Sequence, residues 1–336
     1  MKAVVITKHG GPGVLEVQTH PDPQVGPGQV RIEVAAAGIN FADVMARMGL
    51  YADAPKTPCV VGYEVAGTIL ELGDGVAESH PSLTPGQRVL AGTQFGGYAS
   101  QVVVGASDVI AMPEALSFEQ GAAIPVNYGT AWAALIGYGA LAPGDRVLVH
   151  SAGGGVGIAA TQIAKRVGAE VLGTASPGKH ERILELGVDR ALDYTSKGWE
   201  QGIGSFDVIL DAVGGKSFRS SYSMLRPGGR LVCFGASSVV SGEKRNIVTA
   251  LKTVARMPRF NLIKQMSESK TVIGLNMLTL WKDQGTLAPW IDPLKEMIAD
   301  GSVAPVVAGS FSFEEAGAAQ TMIVERRNVG KVVLVP

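Results

Sequence analysis

Residues 147–176 read VLVHSAGGGVGIAATQIAKRVGAEVLGTAS, which gives strand, glycine-rich turn, helix and second strand in one pass. Val147 to His150 is a short apolar run suited to a buried parallel strand. Ala152 to Gly157 removes side chains where a backbone must approach phosphate closely, and the helix that follows turns its N-terminus toward the anion. Val156, Ala160, Ile163 and Val167 recur at spacings of four, three and four, the pattern of a helix face that packs on a sheet. The turn departs from G-x-G-x-x-G by carrying Ala152 at the first glycine, so Gly154 and Gly157 are the matching positions, with Gly155 and Val156 between them. A tight strand-to-helix turn without a ligand would use the same glycines; the context of the whole chain favours a dinucleotide.

The second strand is predicted over residues 170–174 and its tip reads Thr174, Ala175, Ser176. An NAD-selective site supplies Asp or Glu here for the ribose hydroxyls, and no carboxylate is present. Ser176, Lys179, His180 and Arg182 follow instead, and a hydroxyl with a cluster of bases holds a 2′-phosphate through charge-assisted hydrogen bonds. NADPH is therefore expected over NADH, with Ser176 and Lys179 as ligands. The competing reading places Lys179 and Arg182 on the solvated face of the helix KHERILELG, and for Arg182 it stands at least equal.

At 336 residues the chain is too long for one ordinary core and suits two domains. Its 46% apolar content can bury sizeable cores, and a formal charge of −1 offers no basic field for nucleic acid, which is not an expected partner. Cys59 and Cys233 are too few for a disulfide framework or a four-cysteine zinc lobe, and the chain starts on the strand-like MKAVVIT, so a reduced, cytoplasmic location is expected. No run approaches the roughly 18–20 apolar residues that span a bilayer, leaving only peripheral membrane contact open.

Short β-branched runs punctuated by Gly and Pro, such as QVRIEVAAAG and EVAGTILELG, mark an early, largely antiparallel β domain. GDRVLVHSAG, AEVLGTAS, FDVILDAVGG, GRLVCFGAS and KTVIGLN then recur as the strands of a doubly wound parallel sheet. LAPWIDPLKEMIADG and the terminal GKVVLVP rejoin the first domain. The α/β division expected is 1–123 for the first part of the catalytic domain, 124–283 for the nucleotide domain and 284–336 for the return.

Six motifs in order, AAGINFADVMARMGLY, PGDRVLVHSAGGGVG, GTASPGKHE, DVILDAVGG, LRPGGRLVCFG and NVGKVVLVP, carry a resemblance that runs end to end. The chain resembles the medium-chain dehydrogenase/reductases of the quinone oxidoreductase type, and within them looks most like the homologues of the synaptic-vesicle amine transport protein. The resemblance implies a β-rich, chaperonin-10-like catalytic domain around a Rossmann domain, and a homodimer formed through the last Rossmann strand, at residues 271–275. Zinc members of that superfamily bind catalytic metal through a cysteine in the segment matching AAGINFAD and a histidine in a Gly-His-Glu segment. Here those segments carry Asn40 and Gly62-Tyr63-Glu64, residues 85–115 hold no cysteine, and the five histidines show no ligand spacing. No metal is expected.

Without metal, polarisation of a substrate carbonyl falls to hydrogen-bond donors, water or the cofactor's ribose, and hydride comes from the nicotinamide. That chemistry suits a quinone or an activated α,β-unsaturated carbonyl. Tyr51 is the candidate proton donor, since a phenol of pKa about 10 stays protonated at neutral pH; an aromatic wall of the cleft is the equal alternative. Asn40 can offer donor and acceptor to the nicotinamide ribose or a substrate oxygen, with a loop-stabilising side chain as the alternative. Asp43 is expected to order the same loop or cap the helix after it. By the resemblance, Asn127 and Thr130 approach nicotinamide and phosphate, with helix capping as the alternative. Tyr194 flanks the adenosine end or merely packs, Gly235, Ala236 and Ser237 line the nicotinamide tunnel, and Asn328 returns toward the cofactor. Asp211 is declined as a general base, because Gly214-Gly215 after it signals a turn that the acid would fix.

RMPRFNLIKQM, with Met257, Phe260, Leu262, Ile263, Met266 and the later Met277, admits three readings: an apolar cover, a membrane- or partner-facing segment, or an ordinary packed helix, the last being favoured. Two rival functions follow. One is a nucleotide-gated lipid- or partner-binding protein with little catalysis. The other is an enoyl-thioester reductase, for which only Arg256, Arg259 and Lys264 suggest a basic entrance.

Overall fold

The computed structural model describes residues 1–240, 242 and 247–336. One compact unit holds Met1–Asn127 and Leu278–Pro336; a second holds residues 128–240 and 247–277. The expected limits at 123/124 and 283/284 differ from these by a few residues, and both ends of the chain build the first unit.

Its main sheet runs in the order Val307–Ser312, Lys331–Val335, Gln29–Ile39, Glu64–Leu72, Arg88–Gly92 and Val109–Ala111, with Gln101–Gly105 also pairing Gln29–Ile39. Every pairing is antiparallel except that of Val307–Ser312 with Lys331–Val335. Val30, Ile32 and Val34 alternate into the core, as a half-buried strand requires, and from Ala36 to Ile39 the strand is buried on both faces. A Cβ at Gly38 would lie 2.4 Å from the Ala122 carbonyl oxygen and 2.7 Å from the Glu64 side chain, so this strand end admits only glycine there. The terminal strand sets Val332 opposite Ile39, which is how GKVVLVP rejoins the first domain.

The second unit is a six-stranded parallel sheet ordered Arg190–Asp193, Glu170–Ala175, Arg146–Val149, Phe206–Asp211, Leu225–Cys233 and Thr271–Gly274. The chain winds outward one way from Arg146–Val149 and then the other, so the topological switch lies at the end of that strand, where the glycine turn begins. The helix after it, Gly155–Val167, buries Gly157, Ile158, Ala160, Thr161, Ile163 and Ala164, while Val156 and Val167 are only half-buried. The packed face is thus rotated from the predicted one. Small residues set it: a Cβ at Gly157 would meet the Ser151 carbonyl oxygen at 2.4 Å, so the helix seats closest where its side chains are smallest.

His150 is buried at the end of the first strand of this unit, with Nε2 3.0 Å from Ser221 Oγ and Nδ1 3.2 Å from Thr174 Oγ1. Ser221 donates to Asp211 Oδ2 at 2.7 Å, so its oxygen is left to accept from the His150 Nε2–H. Asp211 also accepts from the Val213 and Gly214 N–H groups and the Ser217 hydroxyl, which fixes the following turn as expected.

A second expectation is overturned. Leu262, Ile263 and Met266 are 74–78% exposed, and the helix Leu262–Glu268 buries none of its residues, so this segment is no packed helix. Its apolar residues share one face, but nothing among the described residues covers it; earlier in the segment Phe260 packs inward, 5.3 Å from the Tyr222 ring, and Met257 is half-buried near Gly214.

Burial holds the His150 imidazole below its ordinary pKa, with Asp211 pulling the other way. The unfolded chain then binds the proton first, so stability is full above about pH 6.5 and falls as the pH drops below it. Urea midpoints measured from pH 8 to pH 5 should decline for the wild type and decline less for H150N.

Candidate active site

The glycine turn, Ser176, Lys179, Tyr194, Gly235 and Ser237 all follow the C-terminal ends of parallel strands, so one edge of the second unit's sheet gathers them. Gly154 caps the helix Gly155–Val167 in an extended conformation with no side chain bonded to its first turn, which leaves the helix N-terminus to an anion. A Cβ on Gly153 would lie 3.4 Å from Lys179 Cδ, so the lysine stem lies against the turn. The Ser176 carbonyl accepts from the Lys179 N–H at 2.9 Å. The tip, Thr174-Ala175-Ser176, carries no acid, and the Thr174 hydroxyl turns inward to His150. The acid on the next strand, Asp193, is bound by the hydroxyls of Ser196 and Thr195 at 2.6 Å, and these hold its carboxyl below the usual range. Tyr194 is exposed on that loop. Arg182 pairs with Glu185 at 2.6 Å with both side chains half-exposed, so the solvated-face reading holds for it.

The segment containing Gly235 lies against the turn after Asp211. Ala212 O is 3.2 Å from where a Gly235 Cβ would stand, and it accepts from the Ser237 N–H at 2.9 Å. Thr130 is buried in the helix Pro125–Trp132.

Asn40, Tyr51, Asn127 and Asn328 belong to the first unit. Asn40 precedes the helix Phe41–Arg47, and its N–H donates to Asp43 Oδ2 at 2.7 Å. Asp43 also accepts from the Gly62 N–H at 3.0 Å and the Tyr98 hydroxyl at 3.0 Å, so it orders the loop as expected. Burial pushes its carboxyl up to about 7, while these donors and the Lys331 charge pull it down. Tyr51 is half-buried against the core, edge-on to Tyr63 with ring centroids 6.5 Å apart. Asn328 donates to the Gly330 carbonyl at 2.8 Å within its own loop.

The side chain of Asn40 enters a cluster that sequence reasoning missed. Its Nδ2 donates to Glu64 Oε1 at 3.1 Å, and its Oδ1 accepts from Lys331 Nζ at 2.7 Å. Lys331 pairs with Glu64 and reaches Asn127 Oδ1 at 3.5 Å. The Val126 N–H donates to Glu64 Oε2 at 2.7 Å, and Asn127 Nδ2 donates to the Ala123 carbonyl at 3.0 Å. The available signal was a single charge inside each of two apolar runs, VVGYEVAG and NVGKVVLV, because an unpaired charge there would be prohibitively desolvated. Among the described residues no group of three or more His, Cys, Asp or Glu side chains is placed to hold a metal ion.

Residues 26–114 match the alcohol dehydrogenase GroES-like domain family, and residues 186–334 match the zinc-binding dehydrogenase family. Over its full length the chain is 34% identical to the synaptic vesicle membrane protein VAT-1 homolog of Rattus norvegicus, covering 84% of that protein. The chain belongs to the medium-chain dehydrogenase/reductase superfamily. It is similar to the quinone oxidoreductase of Thermus thermophilus, solved also in complex with NADPH, at TM-score 0.80 and 31% identity over 100% of both chains. It is also similar to CurK enoyl reductase, at TM-score 0.85 and 25% identity over 99% of this chain and 98% of that one. This superfamily member is an oxidoreductase with a GroES-like domain and a Rossmann domain, and two of the structures it is similar to are solved with NADPH. The residues present fit that nucleotide: a glycine turn at the switch point, an open helix N-terminus, and a lysine rather than an acid at the ribose end.

The close seat of Gly157 generates a direct test. G157A places a methyl group against backbone, which must shift at a cost of about 1–3 kcal/mol. NADPH affinity in a fluorescence titration should fall at least roughly tenfold.

Proposed function

We propose that this protein is an NADPH-dependent, zinc-independent reductase of quinones or activated α,β-unsaturated carbonyls. The observation that carries the reading is Asn40: a carboxamide, held at both ends, stands in the segment where zinc members of the superfamily place a thiolate. Bound NADPH supplies the hydride.

The Gly154–Gly157 turn and the helix N-terminus would hold the pyrophosphate, Ser176 and Lys179 the 2′-phosphate, and Tyr194 the adenosine end. Asn127, Thr130, Gly235, Ser237 and Asn328 would line the nicotinamide end. Asn40 offers its remaining N–H to the acceptor oxygen or the ribose. A reduced quinone is an aromatic anion that takes its proton from water, whereas an enone needs a proton at the α-carbon, which Tyr51 would donate. The strand Thr271–Gly274 ends its sheet, and that open edge is where a second copy would add to form the homodimer.

One observation favours a second reading. Val248, Leu251 and Val254 are exposed, as are Leu262, Ile263 and Met266, in a stretch of chain that also carries Lys252, Arg256, Arg259 and Lys264. A basic, apolar surface of this kind suits peripheral contact with an anionic bilayer, and no described helix is long and apolar enough to cross one. Absence of flotation with liposomes, with and without NADPH, would sink this reading.

The reductase reading is tested by NADPH consumption across ortho- and para-quinones, cyclic enones and 2-alkenals, with product analysis and an NADH control. Turnover with NADPH preference is expected; tight NADPH binding without turnover would overturn it. K179A should weaken NADPH by about 1.5–3 kcal/mol, the loss of one charged hydrogen bond, and NADH much less. Y51F should slow enone reduction more than quinone reduction; equal slowing would make Tyr51 a wall.

A further inference from the structure

Asn40 is the one member of the buried cluster that reaches the surface: it is half-buried, whereas Glu64, Lys331 and Asn127 are 0%, 3% and 4% exposed. Those three turn their polar atoms inward. The Lys331 ammonium has three N–H bonds and three oxygens around it, from Asn40, Glu64 and Asn127. It keeps no donor for a ligand. Nor does it hold the loop, because the backbone of Asn40 is tied separately to Asp43.

What the pair controls is the direction of an amide. A carboxamide fits its site almost equally well when its oxygen and nitrogen exchange places. An ammonium can only donate and a carboxylate can only accept, so Lys331 takes the Asn40 oxygen and Glu64 takes its NH₂ group. The exchanged amide would set NH₂ against the ammonium and oxygen against the carboxylate, and both contacts would be repulsive.

We propose that Lys331, acting with Glu64, is a positioning residue that fixes the orientation of the Asn40 carboxamide, so that its remaining N–H and lone pair always meet the ligand the same way round. This rests on the reductase reading, in which Asn40 touches the acceptor or the nicotinamide end of the cofactor.

The experiment compares quinone reduction by the wild type, N40A, E64Q/K331M and the triple variant. E64Q/K331M removes both charges together, leaving no unpaired ion. The glutamine it introduces must keep a carbonyl on the Val126 N–H and so presents NH₂ to Asn40, which reverses the amide. N40A and E64Q/K331M should each lower kcat roughly tenfold, the loss of one well-placed hydrogen bond, with KM for NADPH changed less than about threefold. The triple variant should be no slower than N40A, since both changes act through one group. Unchanged kcat in E64Q/K331M, or losses that multiply in the triple variant, would overturn the proposal while the reductase reading stands. No turnover by the wild type would overturn both. If thermal unfolding shows that E64Q/K331M does not fold, E64Q/K331Q, which also leaves neither charge of the pair behind and keeps a polar side chain beside Asn127, is judged by the same coupling to N40A.

Discussion

Lys331 and Glu64 bring an ammonium and a carboxylate together out of reach of water, across 267 residues of chain. Taking two ions out of water costs several kcal/mol each, and their attraction offsets this only where the remaining donors and acceptors are matched. Here they are matched by Asn40, Asn127 and the Val126 N–H. Losing one partner alone would leave a bare buried charge, at about 3–5 kcal/mol. The terminal strand is therefore seated in the first unit by the same contact that fixes the polar site, and closure of the unit cannot be separated from assembly of the site.

The second unit works by closeness rather than charge. Gly157 lets the helix sit on the turn with no room for a methyl group, which aims an uncapped helix N-terminus at the switch point of the sheet. Beneath it, His150, Ser221 and Asp211 form a chain in which each donor has its acceptor. The arrangement has the residue types of a catalytic triad but is a satisfied core. The Asp211 oxygens are occupied by two backbone N–H groups and two hydroxyls, so no lone pair is left in need of a proton.

Both domains, and the gathering of the glycine turn, Ser176 and Lys179 at one sheet edge, were legible in the sequence because period and spacing are local: alternation in QVRIEVAAAG and the strand-turn-helix order of VLVHSAGGGVG sit within a few residues of the elements they produce. The rotated face of the helix Gly155–Val167 was misjudged because apolar size was followed where closeness of approach decides. The exposed Leu262, Ile263 and Met266 were misjudged because an apolar stripe indicates what should be covered, not what covers it. The Lys331–Glu64 contact was invisible for a different reason: a pair so distant along the chain leaves only two isolated charges in apolar strands, and neither names its partner.

An amide N–H is a weak electrophile, and on the proposed reading that weakness selects the substrate. A neutral hydrogen bond contributes about 0.5–1.5 kcal/mol net, whereas a Lewis-acidic metal supplies several. At about 1.4 kcal/mol per tenfold in rate, a site organised around Asn40 falls orders of magnitude short on an unactivated ketone. The acceptor must then carry its own stabilisation, as a quinone does by becoming aromatic and an enone by spreading charge onto its oxygen. A weak donor also leaves little margin for misalignment, because an amide turned the wrong way presents a lone pair to the oxygen it should be stabilising. That is a physical reason for two buried charges behind a neutral side chain: they need not touch the substrate to decide which end of Asn40 does.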